Sequence, residues 1–256
     1  MTIAGSDSGG GAGIQADLKT ILMHDDCWGI CVITAITAQN TQKVKKIFRL
    51  PLDIIENQFD TLIEDFDVHA IKTGMLLNSE IIDLISSKIN LLQTPLIIDP
   101  VMRSTTGTNL SEGDFLESLI GKLIPISTII TPNINEAEIL SNISINNHDN
   151  VEDACRIIKK LGTKAVLIKG GHLNEKKSDV FDTFYYKEKF YYFKKKRITG
   201  NFHGIGCTFS TAIACNLAKD IDIVESVKNS ETFIEKVILS SKRFSRGLIP
   251  VNQKIQ

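Results

Sequence analysis

The stretch His203-Gly204-Ile205-Gly206-Cys207, followed by Thr208-Phe209-Ser210-Thr211-Ala212-Ile213-Ala214, organises the rest of the chain. Its two glycines, separated by one residue, allow a tight turn in which backbone N–H groups face one point. Small and apolar residues then recur at helical spacing, which predicts a helix over 208–218 with Cys207 at or near its N-terminus. Unpaired N–H groups and the positive end of the helix dipole would form a phosphate or oxyanion site there. The alternative is a glycine turn that opens a core helix around a small buried cysteine.

The expected position of Cys207 also bears on its charge. The field at a helix N-terminus favours a cysteine thiolate over the thiol. We therefore expect Cys207 to be able to take up a proton or to hold negative charge.

The composition limits the classes of protein to which the chain can belong. Its 256 residues are 43% hydrophobic and 23% charged, enough to bury a full core, and this length fits one large domain or two small ones. No linker or internal repeat stands out, so we expect a single domain over 1–256. A net charge of −1 gives no global field that would attract nucleic acid or an anionic membrane. The basic cluster 194–197 is isolated and is typical of a solvated strand end. No apolar run reaches the roughly 18 residues of a membrane span, so we expect neither a nucleic-acid nor a membrane partner.

Cysteine and histidine usage indicates the compartment. The five cysteines include no Cys-x-x-Cys pair, and the five histidines show no His-x-x-x-His spacing. Neither a structural zinc site nor a disulfide framework is therefore indicated. No charged segment or cleavage site follows Met1, so we expect no signal peptide and a cytoplasmic location.

Short apolar segments alternate with amphipathic ones about seven times along the chain. The run 29–38 is continuously apolar and β-branched, as expected for a strand buried on both faces of a parallel sheet. The segment 179–193 alternates aromatic residues in the manner of an antiparallel hairpin. This pattern predicts a three-layer α/β domain with a mostly parallel central sheet and a small antiparallel hairpin.

Polar or glycine-rich clusters follow the expected strands, at the sheet edge where such folds bind ligands. The loop 9–13 is rich in glycine but lacks the Gly-Lys-Ser/Thr of a Walker A loop. Asp17, on the first turns of the next helix, is either a ligand or a solvent-facing acid. Gln39 offers an amide donor and acceptor together, which suits the edge of a heteroaromatic ring.

Later strand ends carry groups that suit a metal ion and phosphates. Asp99 is fixed by a following proline, and we expect Asn133 and Glu136 to lie side by side, where oxygens could meet Mg²⁺-bound waters. We expect Asn135 to cap a helix that begins near Glu136, and an ordinary capping arrangement is the alternative explanation of this cluster. Lys169, followed by two glycines, suits phosphate.

In combination, these segments resemble the bacterial hydroxymethylpyrimidine/phosphomethylpyrimidine kinases, a family of the ribokinase-like superfamily. The resemblance covers essentially the whole chain and rests on the segments 2–7, 9–19, 32–41, 72–76, 99–102, 131–136, 169–173 and 203–207. It implies a ribokinase-like αβα fold, ATP and Mg²⁺ as cofactors, and a homodimer. The implied activity is phosphorylation of 4-amino-5-hydroxymethyl-2-methylpyrimidine, and then of its monophosphate, in thiamine biosynthesis.

The resemblance also implies roles for particular residues of this sequence. Gln39 is similar to the glutamine that hydrogen-bonds the pyrimidine, and the same pocket would be lined by Gly5, Ala12, Asp17 and Met75. Magnesium and the phosphates would be organised by Asp99, Asn133 and Glu136, with Lys169 near the nucleotide. The anion hole would be formed by Gly204, Ile205, Gly206 and Cys207, and the Cys207 thiolate would accept the hydroxymethyl proton.

The sequence departs from the family pattern in three places. Ile205 stands where the family usually has threonine, the segment 198–202 is one residue short, and the loop 103–107 differs in detail. Two alternatives stay open: a pyridoxal or pyridoxine kinase, and a homologue that binds a pyrimidine or ATP without turnover. Cys207 together with Gln39 favours the pyrimidine kinase.

Overall fold

The computed structural model describes residues 1–173 and 178–255. Nine of its strands form one sheet, and two short strands pair separately. The strands are β1 (Thr2–Asp7), β2 (Cys31–Gln39), β3 (Val44–Arg49), β4 (Ile71–Thr73), β5 (Leu96–Ile98), β6 (Ile129–Ile130), β7 (Ala165–Ile168), β8 (Asp179–Tyr186), β9 (Lys189–Lys196), β10 (Phe202–His203) and β11 (Ile249–Pro250). The helices are α1 (Gly13–Leu22), α2 (Leu52–Ile63), α3 (Ser79–Ile89), α4 (Phe115–Ser118), α5 (Ile134–Ser141), α6 (His148–Lys160), α7 (Ile205–Ala218) and α8 (Ile223–Ser240).

The sheet has the spatial order β3-β2-β1-β4-β5-β6-β7-β8-β9. The six strands from β2 to β7 in this order are mutually parallel, whereas β3, β8 and β9 run antiparallel to their neighbours. The expected mostly parallel sheet is therefore confirmed, and the expected hairpin is β8–β9. Because the six parallel strands share one direction, their carboxyl ends lie along a single edge of the sheet.

Helices cover both faces of the sheet, as the three-layer prediction requires. Neighbouring strand residues such as Ile97 and Ile98 are both buried but belong to separate apolar cores, because alternate side chains of a strand point to opposite faces. One core takes buried residues from α2, α3, α5 and α6, and the other takes them from α7 and α8. The α/β architecture is confirmed.

Several element boundaries differ from the sequence expectation. Strand β3 was not expected, because its polar side chains face solvent on the sheet edge. Helix α7 begins at Ile205, three residues earlier than expected, since Gly204 adopts the left-handed conformation that starts it. The expected cap Asn135 is wrong, because the side chain of Asn133 accepts the N–H of Glu136 and makes Asn133 the N-cap of α5.

Two surface expectations can be compared with the structure. The lysines of the basic cluster have partners within the chain: Lys194 and Lys196 pair with Asp179, and Lys195 pairs with Asp182 and also donates to the carboxyl group of Glu231. In the part of the chain that the structure describes, no helix is long and apolar enough to cross a membrane.

Candidate active site

A cavity of about 1550 Å³ runs along the carboxyl ends of the parallel strands. Its wall includes every residue expected at the site except Asp17, namely Gly5, Ala12, Gln39, Met75, Asp99, Asn133, Glu136, Lys169, Gly204, Ile205, Gly206 and Cys207. The strand order divides these residues between the two ends of the cavity. Those from β2, β1 and the segment after β4 lie at one end of the sheet edge, and those after β5, β6 and β7 lie at the other.

The N-terminus of α7 opens into this cavity. Gly204 has φ +90°, and a Cβ atom there would lie 1.8 Å from the carbonyl oxygen of Gly11. The backbones of the glycine loop and of the α7 turn therefore touch, which only glycine at 204 permits. The first intrahelical acceptor, the Gly204 carbonyl, is taken by Thr208. The N–H groups of Ile205, Gly206 and Cys207 precede the helical ladder and are available to an anion.

An ion pair lies directly beside these N–H groups. Lys169 Nζ is 2.9 Å from Asp99 Oδ1, and a Cβ atom on Gly206 would lie 3.3 Å from Lys169 Nζ and 3.4 Å from Asp99 Oδ2. Burial would lower the pKa of Lys169, but Asp99 and Glu136 outweigh it and raise that pKa. The lysine is therefore held as a cation next to the anion site.

Glu136 has a structural role in addition to any role towards a metal ion. Its carboxylate accepts the backbone N–H of Asn133 at 2.9 Å, which completes a capping box at the start of α5. Burial raises the pKa of Glu136 to about 7, and the charge of Asp99 acts in the same direction, while Lys169 opposes both. The capping alternative is thus present in the structure, with the side chain still in the cavity wall.

The donor set at this end fits Mg²⁺ that arrives with a nucleotide. The described residues contain no group of three or more His, Cys, Asp or Glu side chains that could hold a metal ion by itself. Mg²⁺ is usually held by one or two carboxylates together with substrate phosphates and waters. Asp99 and Glu136 supply such carboxylates beside an anion site, so they are the residues that would hold it.

The opposite end of the cavity suits a flat ring. Gln39 ends β2, and Met75 follows β4 with its side chain against Gly5, where a Cβ atom would lie 2.2 Å from the Met75 methyl carbon. Ala12 precedes α1 and completes this side of the wall. The arrangement provides apolar surface beside one amide, which is typical of a small-molecule site.

Asp17 does not line the cavity. It is 0% exposed, and its two carboxylate oxygens accept from Lys72, at 3.0 and 2.9 Å, and from the hydroxyls of Thr2 and Thr211. It is neither the pocket residue nor the solvent-facing acid that the sequence suggested. The residue that reaches the cavity wall is its partner Lys72, which sequence reasoning missed.

The charge expected for Cys207 is opposed by its surroundings. Burial raises the pKa of the Cys207 thiol to about 12, with Asp17 and Asp99 acting in the same direction, while Lys72 and the backbone N–H of Gly13 lower it. The position at the helix N-terminus is confirmed, but burial and the carboxylates of Asp17 and Asp99 oppose the thiolate that this position favours.

A second missed group is the buried pair Asp7 and His203. The Asp7 carboxylate accepts the N–H groups of Gly9, Gly11 and Ala12, at 2.8, 3.1 and 2.9 Å, and lies 2.9 Å from His203 Nε2. Burial would raise the pKa of Asp7, but the hydrogen bonds from His203 and Gly9 hold it below its usual value. Because ionised Asp7 only accepts, His203 Nε2 carries the proton between them.

His203 also contacts two parts of the cavity wall. Its Nε2 is 3.3 Å from Gln39 Nε2, and its Nδ1 is 3.3 Å from the hydroxyl of Thr105. The glycine pattern around 203 drew attention to the turn in the sequence, whereas the partners of the imidazole lie far away in the chain. No local signal could have found them.

Comparisons with known proteins show the family of the chain. The family model described as phosphomethylpyrimidine kinase matches residues 7–252. The chain is 39% identical over 249 residues to a hydroxymethylpyrimidine/phosphomethylpyrimidine kinase of Aquifex aeolicus, which covers 96% of both chains. Phosphomethylpyrimidine kinase from Clostridium difficile has a similar structure, with a TM-score of 0.81 and 42% identity over 93% of this chain and 97% of that one.

The fold is also similar to that of a vitamin kinase. An ADP complex of Bacillus subtilis pyridoxal kinase matches with a TM-score of 0.89 and 34% identity, over 98% of this chain and 95% of that one. The family model and the Aquifex relative nevertheless agree with each other over nearly the whole length. On this evidence the chain belongs to the phosphomethylpyrimidine kinase family.

Proposed function

We propose that the protein transfers the γ-phosphoryl group of ATP to the hydroxymethyl oxygen of 4-amino-5-hydroxymethyl-2-methylpyrimidine, and then phosphorylates the monophosphate to the diphosphate. The observation that carries this proposal is the N-terminus of α7, where three unpaired N–H groups and Cys207 face one cavity beside the Asp99–Lys169 pair. The family membership of the chain supports the kinase activity.

The anion site supplies most of what phosphoryl transfer needs from a protein. Positioning and charge neutralisation dominate this reaction. The N–H groups of Ile205, Gly206 and Cys207 would stabilise the charge that spreads over the transferred group, and Lys169 would add a cation. Loss of one such preorganised donor typically raises a barrier by about 2.7–4 kcal/mol. The isoleucine at 205 keeps the backbone N–H donor, but the side-chain hydroxyl of the threonine that the family usually has there is lost.

The first transfer also needs a base. The hydroxymethyl O–H bond breaks, and its proton passes to the thiolate of Cys207. The oxygen forms a bond to the γ-phosphorus as the bond from that phosphorus to the β,γ-bridging oxygen breaks, and ADP leaves. Mg²⁺ held by Asp99 and Glu136 would neutralise phosphate charge when bound.

We place the pyrimidine ring at the end of the cavity formed by Gln39, Gly5 and Met75. The Gln39 amide would hydrogen-bond a ring nitrogen and the exocyclic amine, and the Met75 side chain would pack on the ring face. Ala12 would contact the same ring from the α1 side. Asn133 would contact the phosphates from the α5 side. The nucleotide therefore takes the end formed by the residues after β5 to β7.

Pyridoxal is the second candidate substrate, because the fold is also similar to that of Bacillus subtilis pyridoxal kinase. Mass spectrometry of reactions with MgATP separates the two, with the pyrimidine and pyridoxal in different tubes. We expect mono- and diphosphate from the pyrimidine, lost with Cys207→Ala. Pyridoxal phosphate alone would reassign the activity, and no product from either compound would indicate a homologue that binds without turnover.

The proposal also includes a cytoplasmic location and a homodimer. All five cysteines are free thiols, which supports a cytoplasmic location, since reducing compartments keep thiols unpaired. The family resemblance supports a homodimer. Light scattering coupled to size-exclusion chromatography tests the dimer directly, and a mass of one chain, 28.4 kDa, would contradict it.

A further inference from the structure

The carboxylate of Asp17 has no capacity left for a substrate. Each of its oxygens accepts one bond from Lys72 and one from a threonine, Thr211 at Oδ1 and Thr2 at Oδ2. These four bonds fill the acceptor sites of a carboxylate. The side chain is completely buried, so Asp17 has no contact with the cavity, and of its hydrogen-bond partners Lys72 is the one that reaches the cavity wall.

The same contacts place the Lys72 ammonium close to Cys207. Thr211 lies four residues after Cys207 on α7, so the two side chains share one face of the helix, with Cβ atoms about 5–6 Å apart. Thr211 Oγ1 is 2.9 Å from Asp17 Oδ1, and that oxygen is 3.0 Å from Lys72 Nζ. The Asp17–Lys72 pair is therefore attached to the face of α7 that carries Cys207, and Lys72 and Cys207 both line the cavity.

The Lys72 ammonium has one N–H donor that Asp17 does not use. Its side chain is 1% exposed and belongs to the cavity wall. An ammonium has three N–H donors, and Asp17 is its only hydrogen-bond partner among the described residues. Burial would lower the pKa of Lys72, but Asp17 outweighs it and raises that pKa, so the group stays cationic.

We propose that Lys72 is a positioning residue that stabilises negative charge on Cys207, and that Asp17 holds it there. The role rests on the proposed function, because it prepares Cys207 to accept the hydroxymethyl proton. The other groups that act on the thiol are the carboxylates of Asp17 on α1 and Asp99 after β5, the N–H of Gly13, and the cation Lys169 after β7. Lys72 and Lys169 both favour the thiolate, and Lys72 has the larger effect.

Two single substitutions make opposite predictions. Lys72→Met removes the cation near the thiol, so thiolate formation should require a higher pH. Asp17→Asn keeps an acceptor for Lys72 and removes a negative charge, so thiolate formation should occur at a lower pH. If the ion pair were purely structural, the two substitutions would not shift the pH of thiolate formation in opposite directions, because either change would only loosen the same contacts.

The rate of Cys207 carbamidomethylation by iodoacetamide, followed from pH 6 to 11 by peptide mass spectrometry, is the direct test. An opposite charge within a few ångströms shifts a pKa by about 1–3 units. At pH 8 we therefore expect Lys72→Met to react at least about tenfold more slowly than the wild type, and Asp17→Asn to react faster. Shifts in the same direction, or no shift in either variant, would overturn the proposal.

Two further variants control for misfolding. The double variant Asp17→Asn with Lys72→Met replaces the pair by neutral groups of similar size, which proteins often tolerate. It should fold and react more slowly than Asp17→Asn alone; an equal rate would contradict a role for the cation. Lys88→Met breaks the ion pair of Lys88 with Asp60, on α3 and α2, and should leave the alkylation profile unchanged.

Activity gives the second readout. We expect kcat for the first phosphorylation to be at least about tenfold lower in the double variant than in Asp17→Asn alone, with the same KM for ATP. Equal kcat values in these two variants would contradict the inference. The alkylation profiles do not require turnover. Failure of the wild type to phosphorylate the pyrimidine would therefore contradict the proposed function. The alkylation profiles would still show whether Lys72 stabilises negative charge on Cys207.

Discussion

Asp7 Oδ2 and His203 Nε2 lie 2.9 Å apart, although 196 positions separate the two residues in the chain. The same carboxylate accepts three N–H groups of the loop 9–12. One buried charge therefore fixes the glycine loop to the residue that precedes the Gly204 turn. The anion site at the start of α7 is built on this connection.

Replacing His203 should separate the two loops. We expect His203→Ala to lower kcat by about tenfold or more and to lower the melting temperature, since a hydrogen bond to a charged group contributes about 1.5–3 kcal/mol. His203→Gln should restore part of both, because its amide N–H can take the place of Nε2–H. Steady-state kinetics and thermal unfolding measure the two effects.

The exposed His69 is the control for His203, and His69→Ala should change neither quantity. Equal activity in His203→Ala and the wild type would show that the Asp7–His203 contact has no part in placing the anion site.

Gly204→Ala should abolish turnover. The new Cβ atom would lie 1.8 Å from the Gly11 carbonyl oxygen at φ +90°, so the turn must move away from the glycine loop. Gly113 also has positive φ, +54°, but has open space around its Cβ position. Gly113→Ala should cost only the backbone strain, roughly 1–2 kcal/mol, and keep normal kinetics. Similar kinetics for the two variants would refute the close approach of the loops.

The sequence predicts the buried strands and the ligand edge for a physical reason. Runs such as 29–38 must be covered on both faces, so their alternation with helices sets the layers. Strand β3 escaped prediction because its lysines and arginine face solvent on the edge, and only pairing with β2 reveals it. Asn133 and Asn135 are equally good caps by type, and the reciprocal bond of Glu136 decides between them.

Gly5→Ala should act on the ring end of the cavity. Its Cβ atom would push the Met75 methyl group, 2.2 Å away, into the space for the substrate ring. Since the methyl is the end of a flexible side chain, the protein should fold, and we expect KM for the pyrimidine to rise about tenfold through overpacking. KM for ATP should stay constant.

A second substitution tests this explanation of Gly5→Ala. Met75→Ala in the same protein removes the displaced group and should bring KM back towards its original value. A KM that the second change leaves unrestored would argue against a pyrimidine site between these residues.

Glu231 should make the free energy of unfolding depend on pH. Burial, assisted by the Asp182 charge, raises the pKa of Glu231 from 4.5 to about 8. Between these values the folded protein keeps a proton that the unfolded chain loses, so the free energy of unfolding decreases as the pH rises. Glu231→Gln cannot ionise and should lose this part of the decrease, while its amide oxygen still accepts from Lys195.

Denaturant unfolding from pH 5 to pH 8 measures the effect. In Glu231→Gln, part of the decrease in the free energy of unfolding with pH should remain, because the pKa of Glu136 is also raised. Glu225→Gln, on the same helix but half exposed, should keep the full slope. An unchanged slope in Glu231→Gln would contradict the assignment.

The remaining gap between sequence and structure concerns partners distant in the chain. A helix acid such as Asp17 suits a ligand role until Lys72, 55 positions away, takes both of its oxygens. The helix N-terminus favours the thiolate of Cys207, but burial and two carboxylates from distant parts of the chain oppose it. Sequence patterns locate the site, whereas its electrostatics depend on packing.

The most direct test follows both phosphorylation steps in the wild type and in Cys207→Ala, with hydroxymethylpyrimidine and its monophosphate as separate substrates. A phosphate acceptor is already ionised near neutral pH and needs no base. We expect Cys207→Ala to slow the first step by about 10²–10⁴-fold and the second step by far less. Equal loss in both steps, or full activity in the first, would contradict Cys207 as the base.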